Sequence, residues 1–123
     1  MNTEPLDLVK KQSQLYPKEF QMSVWRNRVE EDAEHPCGVV ACIAGHLVIN
    51  DRGKDTGELN CYNFFEEGCR VLDISKEQGD KLFYLDHWPQ EYAHIWQNGN
   101  TQIEKCEALR KRIDLFVESA GTK

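Results

Sequence analysis

The run from Val39 to Ile49 constrains the fold of this chain most, because it is apolar on every side. An element without a polar face must be covered by its neighbours, so this run lies at the centre of the fold. Its length favours a helix of about three turns that begins near Cys37, and Ala44 and Gly45 would let neighbouring helices approach closely. Its β-branched residues keep a buried strand as the alternative.

Helix signals flank this run on both sides, and each depends on a capping residue, a capping box or a proline. In chain order, the first predicted helix is capped by Thr3 and stopped by Pro17, and helical spacing from Cys61 to Leu72 predicts the next one after the central run. A further helix follows the Ser75–Gln78 box, and a short helix has Pro89 in its first turn. The final helix follows the Thr101–Glu104 box and ends at Gly121. They predict an all-α fold. We expect one domain over residues 1–123, a compact bundle of about five to six helices around the buried central helix.

The final helix has the clearest apolar stripe. Its members are Ile103, Cys106, Leu109 (or Arg110), Ile113, Phe116 and Val117, which recur at the spacing of one helix face. This spacing predicts that the face packs on the core.

Charge bears on the class of partner. Fifteen basic and 21 acidic residues give a formal net charge of −6, whereas a nucleic-acid binder needs a basic face that displaces counterions from phosphates. The short basic run Arg110–Arg112 is interpreted as a solvated helix surface. We therefore expect no direct nucleic-acid binding, and the acidic balance leaves open competition with nucleic acid for a basic partner.

The sequence also predicts a cellular compartment. The first residues have no basic region followed by an apolar core, so we expect no secretion signal. The run from Val39 to Ile49 is too short to span a bilayer. Five cysteines, an odd number, are typical of free thiols in a reducing compartment. We predict a cytoplasmic protein without a membrane segment.

Cys37 is the candidate catalytic residue. At the N-terminus of a buried helix, unpaired N–H groups and the helix dipole would stabilise its thiolate. A nucleophile also needs a base within about 3 Å. His46, about 13 Å further along a helix, is too distant, and nothing in the sequence places His35, His87 or His94 beside Cys37.

Cys42 and His46 are weak candidates for metal ligands. They lie one helical turn apart, a spacing that suits zinc, but a second Cys/His pair at ligand spacing is missing from the sequence. Free cysteine is often buried as a small hydrophobe. We therefore predict that Cys42, Cys61, Cys69 and Cys106 are core residues, and we predict no metal and no cofactor.

Two features are candidate binding surfaces. The acidic segment comprises Glu30, Glu31, Asp32 and Glu34, and is interpreted as a solvated loop or as a surface for a protein partner. The exposed faces beside Trp25 and Trp88 are the other candidate contacts. The tryptophans could instead form an aromatic pocket that captures a nucleotide.

The motif Cys37-Gly38-x-x-Ala41-Cys42-Ile43-Ala44-Gly45 resembles that of a family of small helical proteins from bacteria and phages. The resemblance extends over most of the chain, through Phe20-x-Met22-x-x-Trp25, Leu72-Asp73-Ile74-Ser75, Leu82-Phe83, Trp88-Pro89 and a closing helix. It implies a compact helical fold and a prokaryotic or phage setting. It implies no reaction, and an aromatic residue more often stands at the position of His46.

Three functions are consistent with these features. The leading hypothesis is a non-enzymatic interaction protein that binds and modulates a host protein, because the chain is small and acidic and its sequence shows no complete catalytic constellation. The first alternative is a cysteine-dependent hydrolase or transferase that uses Cys37. The second is a protein that binds a small ligand such as a nucleotide.

Overall fold

The computed structural model describes residues 1–32, 39–53 and 61–123, and these parts of the chain form an all-α fold. Their helices are α1 (Glu4–Leu15), α2 (Ile43–Arg52), α3 (Cys61–Leu72), α4 (Lys76–Phe83), α5 (Gln90–Asn98) and α6 (Gln102–Glu118). Single 3-10 turns at Pro17–Glu19 and Leu85–His87 follow α1 and α4, and two short strands, β1 (Asn27–Arg28) and β2 (Val39–Val40), pair antiparallel. The prediction of a helical bundle is confirmed.

The central apolar run begins as a strand and only then becomes a helix. β2 pairs with β1, and Ala41 forms a parallel bridge with Phe20. Cys42 has extended backbone angles and caps α2. The predicted helix is therefore wrong for residues 39–42, because their backbone groups bond to distant segments rather than to one another. The predicted start near Cys37 lies outside the described residues.

Two helices organise the core. α2 packs against α1, α3 and α4, and all its residues from Ile43 to Ile49 are buried, so the prediction of a buried central helix is confirmed. α6 packs against α5 and α1 and also contacts α4. The core between them includes Leu6, Val9, Leu47, Phe65, Leu72, Leu82, Phe83 and Trp96.

The apolar stripe of α6 is confirmed along most of the helix but not at its start. Cys106, Leu109, Ile113 and Phe116 are buried, so Leu109 and not Arg110 fills the gap in the stripe. Ile103 is 63% exposed, and its predicted packing on the core is wrong. The reason is that the first turn of α6 faces the end of α1 across an open cavity.

Both predicted capping boxes begin their helices. The Ser75 hydroxyl accepts from the Gln78 N–H, and the Gln78 side chain accepts from the Ser75 N–H. The Thr101 hydroxyl likewise accepts from the Glu104 N–H, but the Glu104 carboxylate accepts from the Asn100 N–H instead of closing the box. The first box is confirmed in full and the second in one of its two bonds.

Three other predictions of helix ends have mixed outcomes. Thr3 occupies the N-cap position of α1 as predicted, but its side chain makes no capping hydrogen bond. Pro89 is the N-cap residue of α5, so it precedes the first turn of the helix and does not lie in it. Gly121 follows α6 with a φ of 79°, a conformation that suits glycine, and donates to the Phe116 carbonyl at 2.8 Å.

Residues 20–25 cross the N-terminal end of α2. The Val24 carbonyl accepts from the Cys42 N–H at 2.8 Å. A Cβ atom on Gly45 would lie 1.7 Å from the Trp25 carbonyl oxygen, so only glycine permits this approach. The predicted close approach at Gly45 is confirmed, but the neighbour is an irregular segment and not a helix.

Candidate functional site

A groove of about 800 Å³ lies between residues 20–23 and residues 84–86. The aromatic side chains of Phe83 and Trp96, both buried, lie at its base. Its exposed lining includes Lys18, Gln21, Ser23, Tyr84, Asp86 and Gln97. The groove therefore presents an apolar base together with polar and charged walls.

Contacts from α6 hold one wall of the groove in place. The Gln102 side chain donates from Nε2 to the Phe20 carbonyl at 2.7 Å. The Cys106 thiol donates to the Pro17 carbonyl at 3.5 Å. These bonds satisfy buried or half-buried carbonyl groups in an irregular segment and fix its position against α6.

The other wall carries an aromatic cluster around Tyr84. Its ring stacks on Phe65 with 5.6 Å between centroids, and the Trp25 ring meets it edge-on at 5.8 Å. Trp25 is itself half-buried and stacks on Phe64. The predicted contact residue Trp25 thus reaches the groove mainly through Tyr84, which is 39% exposed.

Cys42 lines a small cavity of about 160 Å³ behind the groove, together with Trp25 and Tyr84. Its sulfur accepts a long hydrogen bond from the Gly45 N–H at 3.5 Å, as a capping serine would. Burial nevertheless raises the pKa of the Cys42 thiol to about 11. At neutral pH the thiol is protonated and is no nucleophile.

The other two described thiols are also protonated. Burial raises the pKa of Cys69 and of Cys106 to about 11. Cys42, Cys69 and Cys106 are free and buried, which confirms their assignment to the core. The side chain of Cys61 lies outside the described residues.

His46 is a core histidine. Its Nε2 atom lies 2.7 Å from the Glu19 carbonyl oxygen and must donate, because a carbonyl oxygen only accepts. Its ring stacks on Phe20 with 4.0 Å between centroids. Burial lowers the pKa of His46 to about 4, although the bond to Glu19 favours the protonated ring. His46 is therefore neutral at physiological pH.

This geometry does not support a metal role for Cys42 and His46. Nε2 of His46 carries a hydrogen that is already bonded, and the Cys42 sulfur caps a helix. Among the described residues, His, Cys, Asp and Glu side chains form no group of three that could hold a metal ion. A zinc site would need at least three such ligands.

The remaining predicted site residues are dispersed. Trp88 is 5% exposed and donates from its indole to the Leu82 carbonyl at 2.8 Å, so the structure places it in the core and not on an exposed face. Glu30, Glu31 and Asp32 are exposed and line none of the cavities described above. Cys37 and Glu34 lie outside the described residues.

Sequence reasoning missed the residues that form the groove. Lys18, Tyr84, Gln102 and Lys105 line it, yet Lys18 precedes the other three by more than half of the chain and Tyr84 lies outside the helix that carries Gln102 and Lys105. No periodicity or motif in the sequence relates these residues, because the groove forms only when their segments meet.

Within the described parts of the chain, none of the helices combines the length and the apolar character that crossing a bilayer requires. Comparison of the chain with protein-family models, with curated proteins and with solved structures found no significant match.

Proposed function

We propose that this chain is a non-enzymatic interaction protein that binds a segment of a protein partner in the groove. The observation that carries the proposal is the open groove itself, with Phe83 and Trp96 at its base and polar side chains along its walls. Protein recognition surfaces combine an apolar centre with a polar rim in this way.

The chemistry around the groove supports binding over catalysis. The Cys42 thiol behind the groove is protonated, and the imidazole of His46 is neutral and bonded to a backbone carbonyl. The alternative of a cysteine-dependent enzyme therefore depends on Cys37 alone.

A protein segment fits the groove better than a nucleotide does. Small-ligand sites bury about 70–90% of the ligand surface, whereas this groove is open along its length. Stacking a base requires a free aromatic face. The Tyr84 ring is already engaged by Phe65 and Trp25, and Trp96 is buried.

We also propose that the protein acts in a prokaryotic cytoplasm, on a host protein if the chain comes from a phage. The buried free thiols of Cys42, Cys69 and Cys106 fit a reducing compartment. The net charge of −6 favours a protein over a nucleic acid as the partner. The resemblance to bacterial and phage proteins supports the setting.

Photo-crosslinking in cells tests the proposal. A photoreactive residue at Ser23, which lines the groove, should give a discrete protein adduct that Met22→Asp abolishes. The same residue at Glu118, exposed at the end of α6 and about 20 Å along that helix from Lys105, is the matched control and should give none. Equal adducts at both positions, or none at Ser23, would contradict the proposal.

A further inference from the structure

Side chains close the C-terminal end of α4, and the groove wall at residues 84–86 begins directly after it. The last four carbonyls of a helix have no partner within that helix. In α4, the Lys81 carbonyl accepts from Nη2 of Arg112 at 2.8 Å. The Leu82 carbonyl accepts from the Trp88 indole, also at 2.8 Å. These bonds fix the point at which the wall leaves the helix.

The donors at this helix end differ in where they come from. Trp88 belongs to the segment that follows the wall. So does His87, whose Nδ1 lies 3.0 Å from the Asp80 carbonyl oxygen and must donate, because a carbonyl oxygen only accepts. Arg112 belongs to α6 and follows Lys81 by 31 residues. Of these three donors, Arg112 is therefore the one that ties the end of α4 to a distant element.

α6 holds the opposite wall of the groove as well. Its first residue, Gln102, donates to the Phe20 carbonyl at 2.7 Å. Gln102 and Arg112 lie about 15 Å apart along the same uninterrupted helix. Because one rigid element contacts both sides, it sets the position of each groove wall relative to the other.

Arg112 is poorly suited to a purely structural role. Its side chain is 0% exposed, and among the described residues Nε and Nη1 have no hydrogen-bond partner. Replacing a buried charge by an apolar side chain of similar volume is often neutral or stabilising. The bond to the Lys81 carbonyl is the directional contact that an apolar replacement cannot make.

We propose that Arg112 is a positioning residue for the groove, which holds the end of α4 against α6 so that residues 84–86 keep the geometry that binds a partner segment. Arg112 does not line the groove and acts on it through the Lys81 carbonyl. This inference rests on the proposed function. It predicts that stability and binding change in opposite directions at this position, which a residue that only stabilises the fold would not show.

The first test uses the protein alone and compares it with Arg112→Met. The His87 and Trp88 amides donate to the Tyr84 and Leu85 carbonyls, so their hydrogen exchange reports opening of the wall. Because methionine keeps the volume and removes the charge, we expect the midpoint of thermal unfolding to rise by about 4 °C. Exchange of both amides, measured by NMR spectroscopy, should nevertheless become at least about threefold faster.

The second test measures the affinity of a peptide selected from a random linear library on the immobilised protein. The peptide is chosen so that Met22→Asp abolishes its binding. A wall that is correctly placed for only part of the time lowers the apparent affinity in proportion to that fraction. Fluorescence anisotropy should therefore show at least about threefold weaker binding to Arg112→Met, although this variant is the more stable protein.

The matched control is Arg110→Met, the same substitution on the same helix. Arg110 donates to the Ser13 hydroxyl and does not line the groove. The peptide affinity and the exchange of the His87 and Trp88 amides should both keep their native values in this variant.

Four results would overturn the inference. Unchanged peptide affinity in Arg112→Met refutes the role of Arg112 and leaves the proposed function intact. Exchange at His87 and Trp88 that slows in step with the rise in stability does the same. Loss of stability and affinity together would make Arg112 an ordinary structural residue. Failure to select any peptide that Met22→Asp excludes refutes the proposed function as well.

Discussion

Three buried ionisable side chains near the groove are held in their neutral forms. His46 has a lowered pKa and the thiols of Cys42 and Cys106 have raised ones, and burial is the main cause in each case. A neutral ring and neutral thiols suit a packed core, and they remove the acid–base and nucleophilic chemistry that an enzyme would use. The residues near the groove are therefore suited to support a binding surface.

His46 makes stability depend on pH. Its pKa is about 4 in the folded state and 6.5 in a free chain, so between these values the unfolded state binds the proton more tightly. The stability that the neutral His46 contributes is present above pH 6.5 and is lost as the pH falls toward 4. We expect the free energy of unfolding to decrease by about 2 kcal/mol between about pH 7.5 and about pH 5. Urea denaturation at both pH values measures this. His46→Phe should remove this part of the dependence, and an unchanged profile in that variant would refute the assignment.

The raised thiol pKa values predict slow alkylation. Cys42, Cys69 and Cys106 should react with iodoacetamide only when the protein unfolds, because they are buried and protonated. Mass spectrometry across pH, with urea-unfolded protein as the control, locates each label. Fast labelling of Cys37 below about pH 7 would favour the enzyme alternative, and fast labelling of Cys42 would contradict its burial.

Arg112 is buried and remains charged, unlike His46 and the buried thiols, so the prediction that it lies on a solvated helix surface is wrong. It is 0% exposed, and its Nη2 donates to the Lys81 carbonyl at 2.8 Å, while Nε and Nη1 have no hydrogen-bond partner. Burial lowers its pKa to about 10. Arg112→Met keeps the volume and removes the desolvated charge, so we expect the free energy of unfolding to rise by about 1 kcal/mol.

Arg112→Ala is the control for that substitution. It removes the same charge but leaves a cavity beside Phe116, which lies 5.9 Å below the guanidinium, so we expect a loss of about 2 kcal/mol. Thermal denaturation compares both variants. A Met variant less stable than the native protein would show that the contacts of Arg112 outweigh its desolvation.

At the scale of elements, the Ala41–Gly45 motif has an architectural explanation. Ala41 bridges to Phe20, Cys42 caps α2, and Gly45 admits the Trp25 carbonyl. Each contact joins the start of α2 to residues 20–25. Residues 20–23 of this segment line the groove, and residues 24 and 25 follow directly after them. The motif therefore builds the support of the groove and carries no catalytic group among its described residues.

Gly45→Ala tests this explanation. Helix propensity alone would favour alanine by about 1 kcal/mol, but the new Cβ would lie 1.7 Å from the Trp25 carbonyl oxygen. The clash outweighs the propensity, and we expect a loss of about 3 kcal/mol in the free energy of unfolding. Gly68→Ala is the control, because its nearest neighbour is the movable Phe83 ring at 3.0 Å and its loss should be smaller. Equal losses would contradict the role of Gly45.

The elements that were predicted correctly depend on local signals. The Ser75–Gln78 box forms its bonds within three residues, and the α6 stripe is a periodicity within a single helix. The start of α2 was predicted wrongly, because Ala41 and Cys42 bond to the Glu19 and Val24 carbonyls, about 20 residues away. Sequence periodicity carries no information on such pairings.

At the scale of the whole molecule, the groove exists because distant segments meet. Lys18 follows α1, Tyr84 follows α4, and Lys105 lies on α6, and no spacing in the sequence relates them. The sequence predicted an acidic contact surface at Glu30, Glu31, Asp32 and Glu34, whereas folding assembles a groove with an apolar base and polar walls elsewhere. The candidate site could therefore not be predicted, although the fold class could.

NMR spectroscopy of the isotope-labelled protein, titrated with a peptide selected from a random linear library on the immobilised protein, locates the binding surface directly. We predict shifts in the amide signals of residues 20–23, 84–86 and 102–105, with the strongest beside Gln102, and no shifts in Met22→Asp. Shifts confined to residues 30–32, with the groove signals unchanged, would contradict the groove as the binding site.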